Sequence, residues 1–143
     1  MPTQRSGLIR GIRTIPAIIG RRGVCLLFLA ILDIIYAYGL ANPTPRSLTN
    51  PTTLFLIDIM PLVAWAVIWG TVGACCVIFA FQPRPRDIPA FVLAIGLKTF
   101  WALVFLGGQV VNRVERGYLS TTIWGAFALF ILVIAGWREN NEH

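Results

Sequence analysis

Three ionisable residues stand where the surrounding sequence is almost wholly apolar. They are Asp33 in LAILDIIYAYGL, Asp58 in TTLFLIDIMPL and Lys98 in AIGLKTFWALVF. A charge placed inside hydrocarbon costs about 3 kcal/mol even on lenient insertion scales. Each of these groups therefore requires an opposite charge, a polar partner or water. Asp33 and Lys98 sit about equally deep in their apolar runs, so an ion pair between them is the first expectation. Asp58 is the alternative or shared partner. Gln109 follows Lys98 by eleven residues, about three helical turns, and belongs on the same face. Two chemistries suit this set: an ion pair that fixes helix register, or a polar path for a proton, ion or small solute.

Other reactive constellations are thin. Cys25, Cys75 and Cys76 lie in apolar runs, and an odd number with two adjacent outlines no disulfide framework. His143 is the one histidine, so no His/Cys/Asp/Glu cluster has metal-site spacing. No P-loop, dinucleotide fingerprint, HExxH or nucleophile elbow occurs. Ser120, Thr121 and Thr122 have no histidine near them to act as base. The expectation is a protein with no catalytic residue, no metal and no cofactor.

These residues must be positioned by helices in lipid. Of 143 residues, 57% are hydrophobic and 13% are charged, and the mean hydropathy is +0.74. An ordinary soluble domain carries about 25% charged residues. A chain this short has too little interior to hide so much apolar side chain. A soluble enzyme, a disordered tail and a disulfide scaffold are thereby excluded. Four apolar runs absorb the excess, at 24–41, 53–81, 88–111 and 118–137. Each is long enough to cross about 30 Å of hydrocarbon as a helix. The predicted fold is all-α, an integral membrane bundle of four transmembrane helices. It occupies 23–138, between a basic arm at 1–22 and a short polar tail at 139–143.

Short links at 42–52, 82–87 and 112–117 force neighbouring spans to be antiparallel. The first link, NPTPRSLTNPT, reads as irregular turn. In the second span, Pro61 follows Asp58 by three residues and predicts a kink. Trp65 and Trp69 lie too deep for an interfacial belt and predict packing within the bundle or against a partner. Small residues at Gly70, Gly73, Gly107 and Gly108 permit close helix approach. The first run also has the outline of a signal peptide ending at Ala37-Tyr38-Gly39, but Asp33 and the length of the run argue for a retained span.

The net charge of +6 is concentrated at the start: Arg5, Arg10, Arg13, Arg21 and Arg22 precede the first acid, Asp33. With both termini inside, Arg84, Arg86 and Arg138 join them, leaving Arg46, Arg113 and Arg116 outside. That asymmetry predicts cytoplasmic N- and C-termini. Trp137, Tyr118 and Trp124 read as anchors of the fourth span. Leu8, Ile12, Ile15 and Ile19 repeat at helical spacing, so the arm reads as a short interfacial helix, divided near Pro16. Its five arginines are expected to face anionic lipid headgroups. Nucleic acid is not expected as a partner.

In layout, the chain resembles the small four-span membrane proteins of actinobacterial phages, often treated as holin-like. The resemblance is carried by LAILDIIYAYGL, AIGLKTFWALVF and IWGAFALFILVIAGWRE. It implies a protein of the bacterial inner membrane that oligomerises and permeabilises that membrane. The alternatives are a small channel or transporter subunit, or a non-catalytic accessory subunit of a larger membrane complex.

Overall fold

The computed structural model describes the backbone of residues 6–83 and 85–136, with side chains from residue 20 onward. Arg5, Arg84, Trp137, Arg138 and His143 lie outside the described residues, as do the side chains of Arg10 and Arg13. Among the described residues every regular element is a helix. The order is α1 (Ser6–Ala41), α2 (Pro45–Leu48), α3 (Pro51–Ile59), α4 (Leu62–Ala80), α5 (Ile88–Val110) and α6 (Gly117–Gly136). Four segments are long and apolar enough to cross a membrane: Gly20–Ala41 of α1, and all of α4, α5 and α6. The fold is therefore all-helical, with the spans of a multi-pass membrane protein.

α1 is not one rod. Its helical dihedrals are interrupted at Gly20, with φ 70° and ψ 167°. The break was expected at Pro16, yet the helix runs through Pro16 and yields at Gly20. Glycine has no Cβ to oppose positive φ, so it adopts there what other residues resist. This separates the arm from the spanning part of α1.

The first link is more ordered than its composition predicted. Pro45 and Pro51 each open a short helix, where the missing N–H costs nothing. Thr44 caps α2 by accepting from the Ser47 N–H at 3.2 Å, and Asn50 caps α3 by accepting from Thr52 N–H at 2.9 Å.

The second run is divided rather than kinked. α3 stops at Ile59, Met60 is extended at φ −162° and ψ 147°, and α4 starts at Leu62. The residue before a proline avoids the helical region, and Pro61 has no N–H to continue the ladder. The Trp65 indole N–H then donates to Leu56 C=O at 3.1 Å and ties the two pieces together.

The spans pack as two antiparallel pairs, α1 along α4 and α5 along α6, joined mainly where α4 meets α5. α5 is the centre. Ala90, Phe91, Ala94, Leu97, Trp101 and Phe105 make a buried stripe at three- and four-residue spacing. α6 is the most exposed, burying only Gly117, Ala128 and Ile131. The outer faces of the spans carry Phe28, Ile35, Val63, Leu103 and Phe130, all exposed. In water that surface would drive aggregation, whereas beside lipid tails it is neutral.

Candidate functional site

Asp33 on α1 and Lys98 on α5 are brought together. Both are 0% exposed, and Lys98 Nζ donates to Asp33 Oδ1. Lys98 lies ten residues into α5, about 15 Å from its start and near the middle of the span. α4 reaches this pair because residue 73 is glycine. A Cβ there would stand 3.0 Å from Ile34 Cγ1, and 3.2 Å from both Ala30 O and Asp33 Cβ.

An aromatic cluster covers the pair on the side facing α2 and α3. Each span supplies one ring: Tyr36, Trp69, Trp101 and Trp124. Tyr36 stands 4.4 Å from Trp69, 5.8 Å from Trp101 and 5.5 Å from Trp124, centroid to centroid. Lys98 Nζ lies 4.3 Å from the Trp69 centroid and 5.9 Å from that of Trp124. Ring faces are electron-rich, so they stabilise the ammonium where water is excluded. Leu26, Leu29 and Ala94 close the opposite side by their register on α1 and α5. The charges are sealed, yet their hydrogen bonding is incomplete. Asp33 Oδ2 and the Trp69 indole N–H have no partner among the described residues. A buried pair with an unused oxygen is a poor source of stability, because desolvation offsets much of the attraction.

A second buried pair was missed from sequence. Arg22 Nε donates to Asp87 Oδ2 at 2.6 Å, and both residues are 3% exposed. Arg22 Nη1 also donates to Ala135 C=O on α6, and the guanidinium carbon lies 4.7 Å from the Phe91 centroid. Arg22 was expected to face lipid with the rest of the arm, but it turns into the bundle because Asp87 waits there. Asp87 occupies the N-cap position of α5, but its carboxylate caps no N–H of that helix. Arg21 is the exposed neighbour.

The two pairs form a ladder. Arg22–Asp87 and Asp33–Lys98 each join residues 65 apart, so they are eleven residues apart on both helices. Eleven residues is about three turns, which returns to the same face. α1 and α5 run in the same direction, and the signs are swapped between rungs. α1 carries base then acid, and α5 carries acid then base. Otherwise these two helices touch little. Their direct polar links are therefore the two rungs, while α4 and the Tyr36–Trp101 contact join them elsewhere. The 65-residue coincidence was the available signal, masked because Asp87 reads as a polar loop end.

Asp58 is placed elsewhere. The break at Met60–Pro61 leaves it on α3, where Arg113 Nη2 donates to its Oδ2. The two side chains are 54% and 56% exposed. Asp58 therefore does not partner Lys98. Gln109 shares the Lys98 face but lies about 16 Å further along α5, packed against Gly117 with its Oε1 unpartnered. Thr99, next to Lys98 in sequence, is exposed. Cys25 and Cys75 are half-buried, Cys76 is buried, and all three are free thiols. Among the described residues, no group of three or more His, Cys, Asp or Glu could hold a metal. No protein family, curated protein or solved structure matches the chain.

Proposed function

We propose that the chain is a multi-pass protein of a bacterial cytoplasmic membrane, with both termini inside, that permeabilises the membrane in the manner of a holin. It works by helix association and not by catalysis, with other copies and lipids as its partners. The observation that carries this reading is the ladder. Two buried ion pairs hold the α1–α4 pair to the α5–α6 pair where little else joins α1 to α5. Closed, the bundle presents apolar faces to lipid and keeps both ion pairs buried. Opened along α1 and α5, each helix would present one charged stripe. Such a stripe is what a water-filled lumen between copies requires. The ladder is a two-state element: buried pairs lose little when both partners move into water together.

The test is induced expression in a bacterial host, with membrane potential and viability followed in wild type and Lys98→Ala. Wild type should collapse the potential abruptly. Lys98→Ala should change the timing, because the closed state has lost a rung. Intact potential at every expression level would overturn the reading. The bare apolar face of α6 favours a second possibility, an accessory subunit that docks in a larger complex. That protein would be silent alone and would co-purify in fixed ratio with its partner.

A further inference from the structure

The charges of the ladder restrict which helices can meet. α1 turns Arg22 and Asp33 toward the seam, and α5 turns Asp87 and Lys98. α4 and α6 carry no charged residue. Copies inserted with the same topology hold equal segments at equal depth. Two α1 helices side by side would set Arg22 against Arg22 and Asp33 against Asp33. Two α5 helices would repeat the clash with Asp87 and Lys98. Like charges away from water repel strongly. Among the four spans, α1 is therefore complementary in charge to α5 alone, and that α5 can belong to its own chain or to another copy. Tyr36 and Trp101, which meet at 5.8 Å, are spaced in sequence as the rungs are.

Each helix pair is closed on itself. Gly73 brings α4 against Ala30 and Asp33 of α1, and Thr121 Oγ1 on α6 donates to Ala102 C=O on α5 at 3.1 Å. The seam between the pairs is made of the two rungs, the Arg22 bond to Ala135 and the aromatic cluster. The covalent link across it is 81–87, between Ala80 and Ile88. Two turn bonds fold this link: Arg86 N–H donates to Pro83 C=O at 2.9 Å, and Ile88 N–H to Pro85 C=O at 3.2 Å. Extended, it would reach about 24 Å, more than two helix spacings of about 8–10 Å. Pro83 and Pro85 favour extension, because their rings fix φ near polyproline values. The link is thus long enough to set α5 beside the α1 of a neighbouring copy.

We propose that copies of this chain join by exchanging hairpins: the α1–α4 pair of one copy docks on the α5–α6 pair of another through the same two rungs and the same rings. Exchange recreates contacts that the chain already makes, so no charge is left unmet at any depth. A hairpin parted from its mate has no other resort in lipid, since hydrocarbon offers nothing to Asp33 or Lys98. This exchange rests on the association of copies proposed as the chain's function, and names its surfaces.

The experiment uses two full-length copies with different affinity tags, co-expressed in one bacterial host. Cys25, Cys75 and Cys76 are replaced by Ala; one copy carries Leu29→Cys and the other Ala94→Cys. Leu29 and Ala94 are buried on α1 and α5 between the rungs and share their 65-residue spacing. A short bifunctional maleimide should link the two tags, and two Leu29→Cys copies should stay unlinked. Absence of a link between tags, while one chain bearing both cysteines links within itself, would overturn the exchange. So would equal linking of two Leu29→Cys copies, because copies would then meet on other faces. The charges supply a second measurement. Asp33→Lys alone sets a lysine against Lys98, and Lys98→Asp alone sets an aspartate against Asp33. An exchanged pair of these two chains restores the rung in both directions. Co-expression should therefore raise the membrane yield of each several-fold over expression alone, and yields as low together as apart would count equally against exchange. Membrane potential followed in the same host separates this from permeabilisation. Linked copies with an intact potential would uphold the exchange and sink the permeabilising function, and a collapse without a link would do the reverse.

Discussion

Arg22–Asp87 and Arg113–Asp58 are the same chemical pair in two settings. The first is enclosed by Phe91, by Ala135 at the end of α6 and by the start of α5. The second lies across the surface between α3 and the link before α6, with more than half of each side chain exposed. In the enclosed pair, removing one partner strands a charge that has no water. In the exposed pair, water and counter-ions replace the lost partner. Geometry is comparable, so the surroundings decide what each contributes. The Asp33–Lys98 rung extends the comparison to complete burial.

The comparison can be tested by removing one member at a time. Lys98→Ala strands Asp33 in mid-span and should destabilise the bundle by about 3–5 kcal/mol, read as earlier unfolding in a denaturing-detergent titration. Replacing both members, as Asp33→Leu with Lys98→Met, should restore most of that loss. If the double variant is as unstable as the single one, the rung is a packing element and not a charge pair. Arg22→Ala should cost about 2–3 kcal/mol, because a charge-assisted hydrogen bond is lost and Asp87 stays enclosed. The swapped pair Arg22→Asp with Asp87→Arg should recover part of it. Gly73→Ala pushes a methyl toward Ala30 and Asp33 and should cost about 1–3 kcal/mol by overpacking, with the same unfolding readout. Arg113→Ala should move the midpoint by less than about 1 kcal/mol. A larger effect there would erase the distinction between the settings.

Hydropathy made the spans legible, because an 18-residue apolar run has few other uses. Depth along a helix is also legible, which is why Asp33 and Lys98 count to the same level. Direction around the bundle is not. Arg22 and Arg21 are adjacent basic residues with identical local context, yet one turns inward and the other outward. Only the position of Asp87, 65 residues away in sequence, separates them. Asp58 was misplaced for a different reason. A proline permits either a kink or a full stop, and the Met60–Pro61 stop moved the carboxylate off the α4 face.

The spacing of the rungs also imposes an order in time. Asp33 enters its span with its partner not yet synthesised, since Lys98 follows 65 residues later. At synthesis rates of about 5–20 residues per second, that is a wait of roughly 3–13 s. Over that interval the nascent α1–α4 pair holds an intramembrane acid with no base, and Gly73 presses α4 against it. Arg22 waits equally long for Asp87. Both rungs then close within about 2 s of each other, as α5 emerges. Assembly of the bundle is thus gated by a single late helix, and a chain halted before α5 is left with both of its charges unmatched.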